Sequence, residues 1–147
     1  MPECPVKPSH LLLIGFFCLH VLCISGQDQR VADSLAIIYQ EDMLVGTEKM
    51  ELLKDLSFNE LNDGELSLKY AEELIRLSEQ ENNIKYLYSG YLQKGNYYSN
   101  IGELDLALET YFKTVNIAIE SKNLNREGIV YSAIADVYAT MENFSNA

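Results

Sequence analysis

Tyr91-Leu92-Gln93-Lys94-Gly95-Asn96-Tyr97-Tyr98 and Tyr131-Ser132-Ala133-Ile134-Ala135-Asp136-Val137-Tyr138 stand 40 residues apart and share one pattern. Each has an aromatic residue, a small residue four positions on, and a tyrosine three positions after that. Steps of four and three return to the same face of an α-helix. Gly95 and Ala135 would let a second helix approach closely, and the tyrosines would fill the space between units. A fixed period of this size is the mark of a chain built from repeated supersecondary units.

A second recurrence lies downstream of the first. Gly102-Glu103-Leu104-Asp105-Leu106-Ala107 leads to Tyr111, four residues after Ala107. The same turn-to-helix join occurs earlier as Gly64-Glu65-Leu66-Ser67-Leu68, then Ala71 and Ile75. A third instance is expected at Asn143-Phe144-Ser145-Asn146-Ala147.

Working outward, apolar residues keep helical spacing through most of the chain. The pattern predicts helices over 30–44, 47–62, 65–80, 84–100, 103–122 and 126–141. The breaks are Gly46, Asn62-Asp63-Gly64, Asn82-Asn83 and Ile101-Gly102, residue types that favour turns and helix ends. The expected buried faces include Val31, Leu35 and Ile38 in the first helix, and Met50, Leu53, Leu56 and Leu61 in the second. Leu66, Tyr70, Ala71, Leu74, Ile75 and Leu77 serve in the third, and Leu104, Ala107, Leu108, Tyr111, Phe112, Val115, Ala118 and Ile119 in the fifth. No segment alternates like a strand. Short links between helices of this length are the pattern of antiparallel hairpins.

The residues quoted first resemble the tetratricopeptide (TPR) motif, W-x2-L-G-x2-Y followed by A-x3-F. Tyr91 stands at the Trp position, Gly95 and Tyr98 match, and Ala107 with Tyr111 matches the second helix. Lys94 replaces the expected Leu, the closing Pro is missing, and the period exceeds the family's usual 34, as in its long-repeat variant. The resemblance implies an all-α, antiparallel helix-hairpin solenoid over 64–147, preceded by a degenerate first repeat within 27–63. In such domains the first helix of each pair lines a concave groove. By position, that implies a peptide-binding face of Ser89, Leu92, Asn96 and Asn100 from one unit, and Ser132 and Asp136 from the next. The family's carboxylate clamp is absent, because Leu92 and Ser132 stand where its lysines would be.

The net charge of -11 excludes a nucleic-acid partner, which needs Lys/Arg clusters to displace counterions. It equally opposes docking on an anionic membrane. A protein or peptide ligand that is neutral or basic is the expected partner. The ten tyrosines lack basic companions, so they read as core rather than as a stacking surface for bases.

All three prolines, all three cysteines and both histidines fall within residues 1–23. A basic flank (Lys7, His10), the apolar run Leu11–Ser25 and Gly26 before a polar stretch have the layout of a secretory signal peptide over 1–26. The rival reading is an uncleaved membrane anchor. The run would extend roughly 22 Å as a helix, short of the ~30 Å hydrocarbon core. Cleavage after Gly26 leaves a mature chain with no cysteine, held together by packing alone.

The same emptiness removes Cys/His zinc sites, Ser-His-Asp triads and thiol nucleophiles from residues 27–147. There is no glycine-rich phosphate loop. Asn59–Tyr70 fails as a calcium loop, with Leu61 at a ligand position and Tyr70 where a closing Glu belongs. No cofactor and no catalysis are expected within these residues.

The last unit stops after about five residues of its second helix, which would leave Ile134, Val137 and Tyr138 partly uncovered. The expectation is therefore an N-terminal sensory part of a larger exported or membrane-anchored signal-transduction protein. Bacterial sensor proteins with a signal peptide followed by long TPRs are the resemblance behind it. A self-contained extracytoplasmic scaffold or assembly factor is the second reading. A repeat array fused to an enzyme would need catalytic residues beyond Ala147.

Overall fold

The computed structural model describes residues 27–145. Residues 1–26, read above as a signal peptide, lie outside the described residues. Six helices follow one another: α1 (Gln29–Glu41), α2 (Gly46–Asn59), α3 (Gly64–Gln80), α4 (Ile84–Asn100), α5 (Leu104–Glu120) and α6 (Leu124–Ser145). The described chain is all-helical. None of its helices is long and apolar enough to cross a membrane.

The helix starts at Gly64, Ile84, Leu104 and Leu124 are spaced by 20 residues, and the reason lies in how the helices stop. Asn82, Gly102 and Lys122 each adopt a left-handed conformation, with φ of 52°, 81° and 52°. At each of these ends two backbone N–H groups turn back onto the last helical turn. Asn82 and Asn83 donate to the carbonyls of Glu79 and Ser78, Gly102 and Glu103 to Ser99 and Tyr98, and Lys122 and Asn123 to Ile119 and Ala118. This is the Schellman arrangement, which satisfies carbonyls that a helix end otherwise leaves unpaired. Starts are fixed by side chains as well. Asp63 accepts from the Leu66 N–H at 3.0 Å, and Asn123 accepts from that of Arg126 at 3.1 Å.

Each helix packs on its neighbours in sequence, and α4 additionally touches both α2 and α6. Close approach is visible at two glycines of α4. A Cβ at Gly90 would lie 2.7 Å from Ile75 Cγ1 of α3, and one at Gly95 would lie 2.5 Å from the ring of Tyr111 on α5. Gly95 therefore plays the part that the sequence pattern assigns to it.

Two apolar clusters result. One gathers Met50, Leu53, Leu56, Tyr70, Leu74 and Tyr86. The other gathers Ala107, Tyr111, Val115, Val130, Ile134 and Val137. Burying such side chains supplies roughly 25 cal/mol per Å² of apolar surface.

Several expectations need correction. In α1 the buried residue is Ala32, whereas Val31 and Ile38 are 41% exposed. Leu61 is exposed because α2 ends at Asn59 and leaves it in the link. Phe112 and Ile119 face outward from α5, since the stripe Ala107-Tyr111-Val115-Ala118 already fills its packed face. Ile134 and Val137 are buried, because they face α5 and not the uncovered side of α6; Tyr138 is half exposed.

The join expected at Asn143 is not a break, for α6 continues through Ser145. At the position equivalent to Gly102, 40 residues on, stands Glu142.

Candidate functional site

α4 touches α2, α3, α5 and α6, and two tyrosines tie it to α2 and α6. The Tyr86 hydroxyl donates to Glu51 of α2 at 2.6 Å. The Tyr88 hydroxyl donates to the backbone carbonyl of Arg126 in α6 at 3.1 Å, with the guanidinium 5.0 Å above the ring. These contacts hold the three helices that would line the implied groove.

Between α2 and α4 lie two adjoining clefts. The first, about 370 Å³, is walled by Lys54, Asp55 and Phe58 of α2 and by Ser89, Leu92 and Gln93 of α4. The second, about 210 Å³, is mixed, with Leu61, Tyr97 and Ile101 among its walls. Ser57, Glu60, Ser67, Gln93, Asn96 and Asn100 are among the residues that line it. Gln93 belongs to both, so the clefts adjoin along one seam.

The α4 stripe inferred from sequence is thus brought together. Ser89 and Leu92 face the first cleft, Asn96 and Asn100 the second. Ser132 and Asp136 are exposed on α6 and line neither cleft. The structure does not join them to the other four.

Asn96 is held by the fold. Its Oδ1 accepts from the Tyr111 hydroxyl at 2.8 Å, and its amide nitrogen donates to Gln93 Oε1 at 3.2 Å. Burial, reinforced by the Asp136 carboxylate, pushes the Tyr111 hydroxyl up to about 12. Tyr111 therefore stays protonated and can donate at any ordinary pH.

The α2 wall escaped the sequence reading. Lys54 is bonded to Glu51 and also sits 3.1 Å from Asp55. The hydrogen bond from Lys54, with that from Tyr86, holds the Glu51 carboxyl down to about 2. Phe58 is 42% exposed at the rim. The signal that could have found this wall is the helix start at Gly46, 38 residues before Ile84. That offset places Lys54 and Phe58 opposite Leu92 and Asn96.

Lys94, which departs from the TPR pattern, has a structural task. It pairs with Glu72 of α3 at 2.7 Å and lies 5.9 Å from the Tyr98 ring centroid.

No protein-family model, curated protein or solved structure matches the chain.

Proposed function

We propose that the chain is a TPR-type helix-hairpin solenoid that binds a protein or peptide segment along the seam between α2 and α4. The observation that carries this is the α4 stripe of Ser89, Leu92, Asn96 and Asn100, which faces an open double cleft. The 40-residue period, the small residue at Gly95 and the contacts of α4 with both α2 and α6 all support the repeat reading. The residues on this seam suit recognition and not turnover. They are amides and hydroxyls beside the apolar Phe58 and Leu92, with Lys54 and Asp55 paired to each other.

In this reading the domain is the exported sensory part of a signal-transduction protein, with residues 1–26 as its signal peptide. Peptide display against the full chain tests the binding reading. Selected peptides should lose binding roughly tenfold or more when Phe58→Ser or Ser89→Arg is introduced. Peptides indifferent to both changes would overturn it. N-terminal sequencing of the chain recovered from an exporting host tests the leader, with Gln27 expected as the first residue.

A further inference from the structure

We infer that residue 27 is a modification site: once the leader is cut after Gly26, Gln27 closes on its own amine to a pyroglutamyl lactam on the wall of the second cleft. The ring rests on the proposed removal of residues 1–26 and is independent of peptide binding at the seam.

The fold grips the chain from Asp28 onward and leaves Gln27 to itself. The Asp28 N–H donates to Asn59 Oδ1 at 3.0 Å, at the last residue of α2. The Asp28 carboxylate accepts from the Arg30 N–H at 3.0 Å and so caps α1. Pinned in this way, the start of α1 sets Gln27 on the wall of the second cleft, beside Glu60, Leu61 and Gly64. Gln27 itself is exposed. Among the described residues its carboxamide has no hydrogen-bond partner.

Cleavage after Gly26 would give Gln27 a primary amine within reach of that free carboxamide. The unprotonated nitrogen attacks the side-chain Cδ. A C–N bond forms, the Cδ–Nε2 bond breaks, and Nε2 leaves as ammonia with the proton that the amine gives up. No oxidant, reductant or second reactant enters. An α-amine titrates ordinarily at about 7.7–8.0, so a good share is unprotonated near neutral pH. Both groups belong to one residue, and an intramolecular reaction gains from that proximity.

Nothing nearby requires the amine to stay as an ammonium. Glu60 shares the cleft wall, but its carboxylate already has donors. Its Oε1 accepts from the Asn62 and Asp63 N–H groups at 3.1 Å, and its Oε2 from Gln29 Nε2 at 3.1 Å. The fold does not resist closure either. All ring atoms precede the Asp28 N–H, so the bond to Asn59 and the α1 cap survive. The product offers one N–H and one carbonyl, and the cleft gains a neutral lactam where an ammonium would stand.

The test is to express the full chain in an exporting host, recover the mature protein in mild acid, and weigh it intact before and after storage at about pH 8, near the ordinary amine value. The expected product is a chain of residues 27–147 lighter by one ammonia and, by isoelectric focusing, poorer by one positive charge. Tandem mass spectrometry of the tryptic peptide Gln27-Asp28-Gln29-Arg30 should place the loss on residue 27. Pyroglutamyl aminopeptidase, which removes only a cyclised first residue, should then leave Asp28 at the start.

A chain that begins at Gln27 and keeps its full mass through storage would overturn the inference and leave the leader reading standing. Loss of ammonia from any other residue, with Gln27 intact, would do the same. A chain that begins anywhere else would overturn the cleavage site and the ring together.

Discussion

The Tyr111 hydroxyl donates a 2.8 Å hydrogen bond to Asn96 Oδ1, while its ring covers Gly95, one residue earlier on the same helix. A single side chain of α5 thus seals the α4–α5 contact and sets the orientation of an amide that also lines the second cleft.

This contact makes the three α4 and α6 glycines unequal. Gly95→Ala should destabilise the chain by about 1–3 kcal/mol, because the new methyl group meets a ring that is itself packed. Gly90→Ala should behave similarly, since its Cβ would meet Ile75 at 2.7 Å and the Ala71 carbonyl at 3.1 Å. Gly128→Ala meets nothing within 4 Å and lies inside α6, so better helix propensity should stabilise it by about 0.5–1 kcal/mol. Urea midpoints of the three variants check the ranking.

The Schellman ends give a second contrast. Lys122 and Asn82 hold φ of 52°, a conformation in which a Cβ is crowded. Lys122→Gly should raise stability by up to about 1 kcal/mol, whereas Gly102→Ala, at φ 81°, should lower it by about as much. Thermal melts of both, measured side by side, should move in opposite directions.

Glu51 links stability to acid. Its carboxyl is lowered from 4.5 to about 2, first by the Lys54 hydrogen bond and then by that from Tyr86. A lowered carboxyl contributes stability above its unfolded value and loses it as pH falls through the folded one. Wild type should exceed Glu51→Gln in melting temperature at pH 6. The gap should close between pH 4.5 and 2, and stay small throughout, because the side chain is 43% exposed and water screens it.

Tyr39 works in the opposite direction. Its hydroxyl donates to Glu73 at 2.6 Å, and that carboxylate, aided by burial, raises it from 10.0 to about 12. A raised group stabilises fully below its unfolded value and loses that contribution as pH climbs through the folded one. Tyr39→Phe should cost about 1–3 kcal/mol at pH 7. The difference should vanish between pH 10 and 12, as read from urea midpoints in alkaline buffers.

The legible parts of the molecule are those written in glycine, Asn/Asp and period. Asn62-Asp63-Gly64, Asn82-Asn83 and Ile101-Gly102 mark the ends of α2 to α5 to within a few residues, and α4 agrees at both ends. The α5–α6 link was placed two residues late at each side, because Lys122 makes the left-handed turn without a glycine to announce it. The α4 half of the groove followed from the repeat. The α2 half did not, since α2 lacks the Tyr-x3-Gly pattern and sits 38 residues upstream of α4, off the 40-residue beat. Charge pairing was illegible for a different reason. Lys54 meets Glu51 at i,i+3 on one helix, but Lys85 reaches it from another, and no local spacing connects 51 with 85.

Because, among the described residues, each helix rests on its neighbours in sequence and no helix–helix contact skips more than one helix, these pairings close short loops. Closing short loops costs little chain entropy, and topologies rich in such local pairings cross their folding barrier quickly. Assembly can begin at any adjacent pair and spread outward helix by helix. Opening should follow the same order in reverse, beginning at α1 and α6, each of which has a sequence neighbour among the described residues on one side only. Amide exchange would then rise from the α3–α4–α5 centre toward both ends, and the α2–α4 seam would draw its rigidity from the slowest-opening part of the chain.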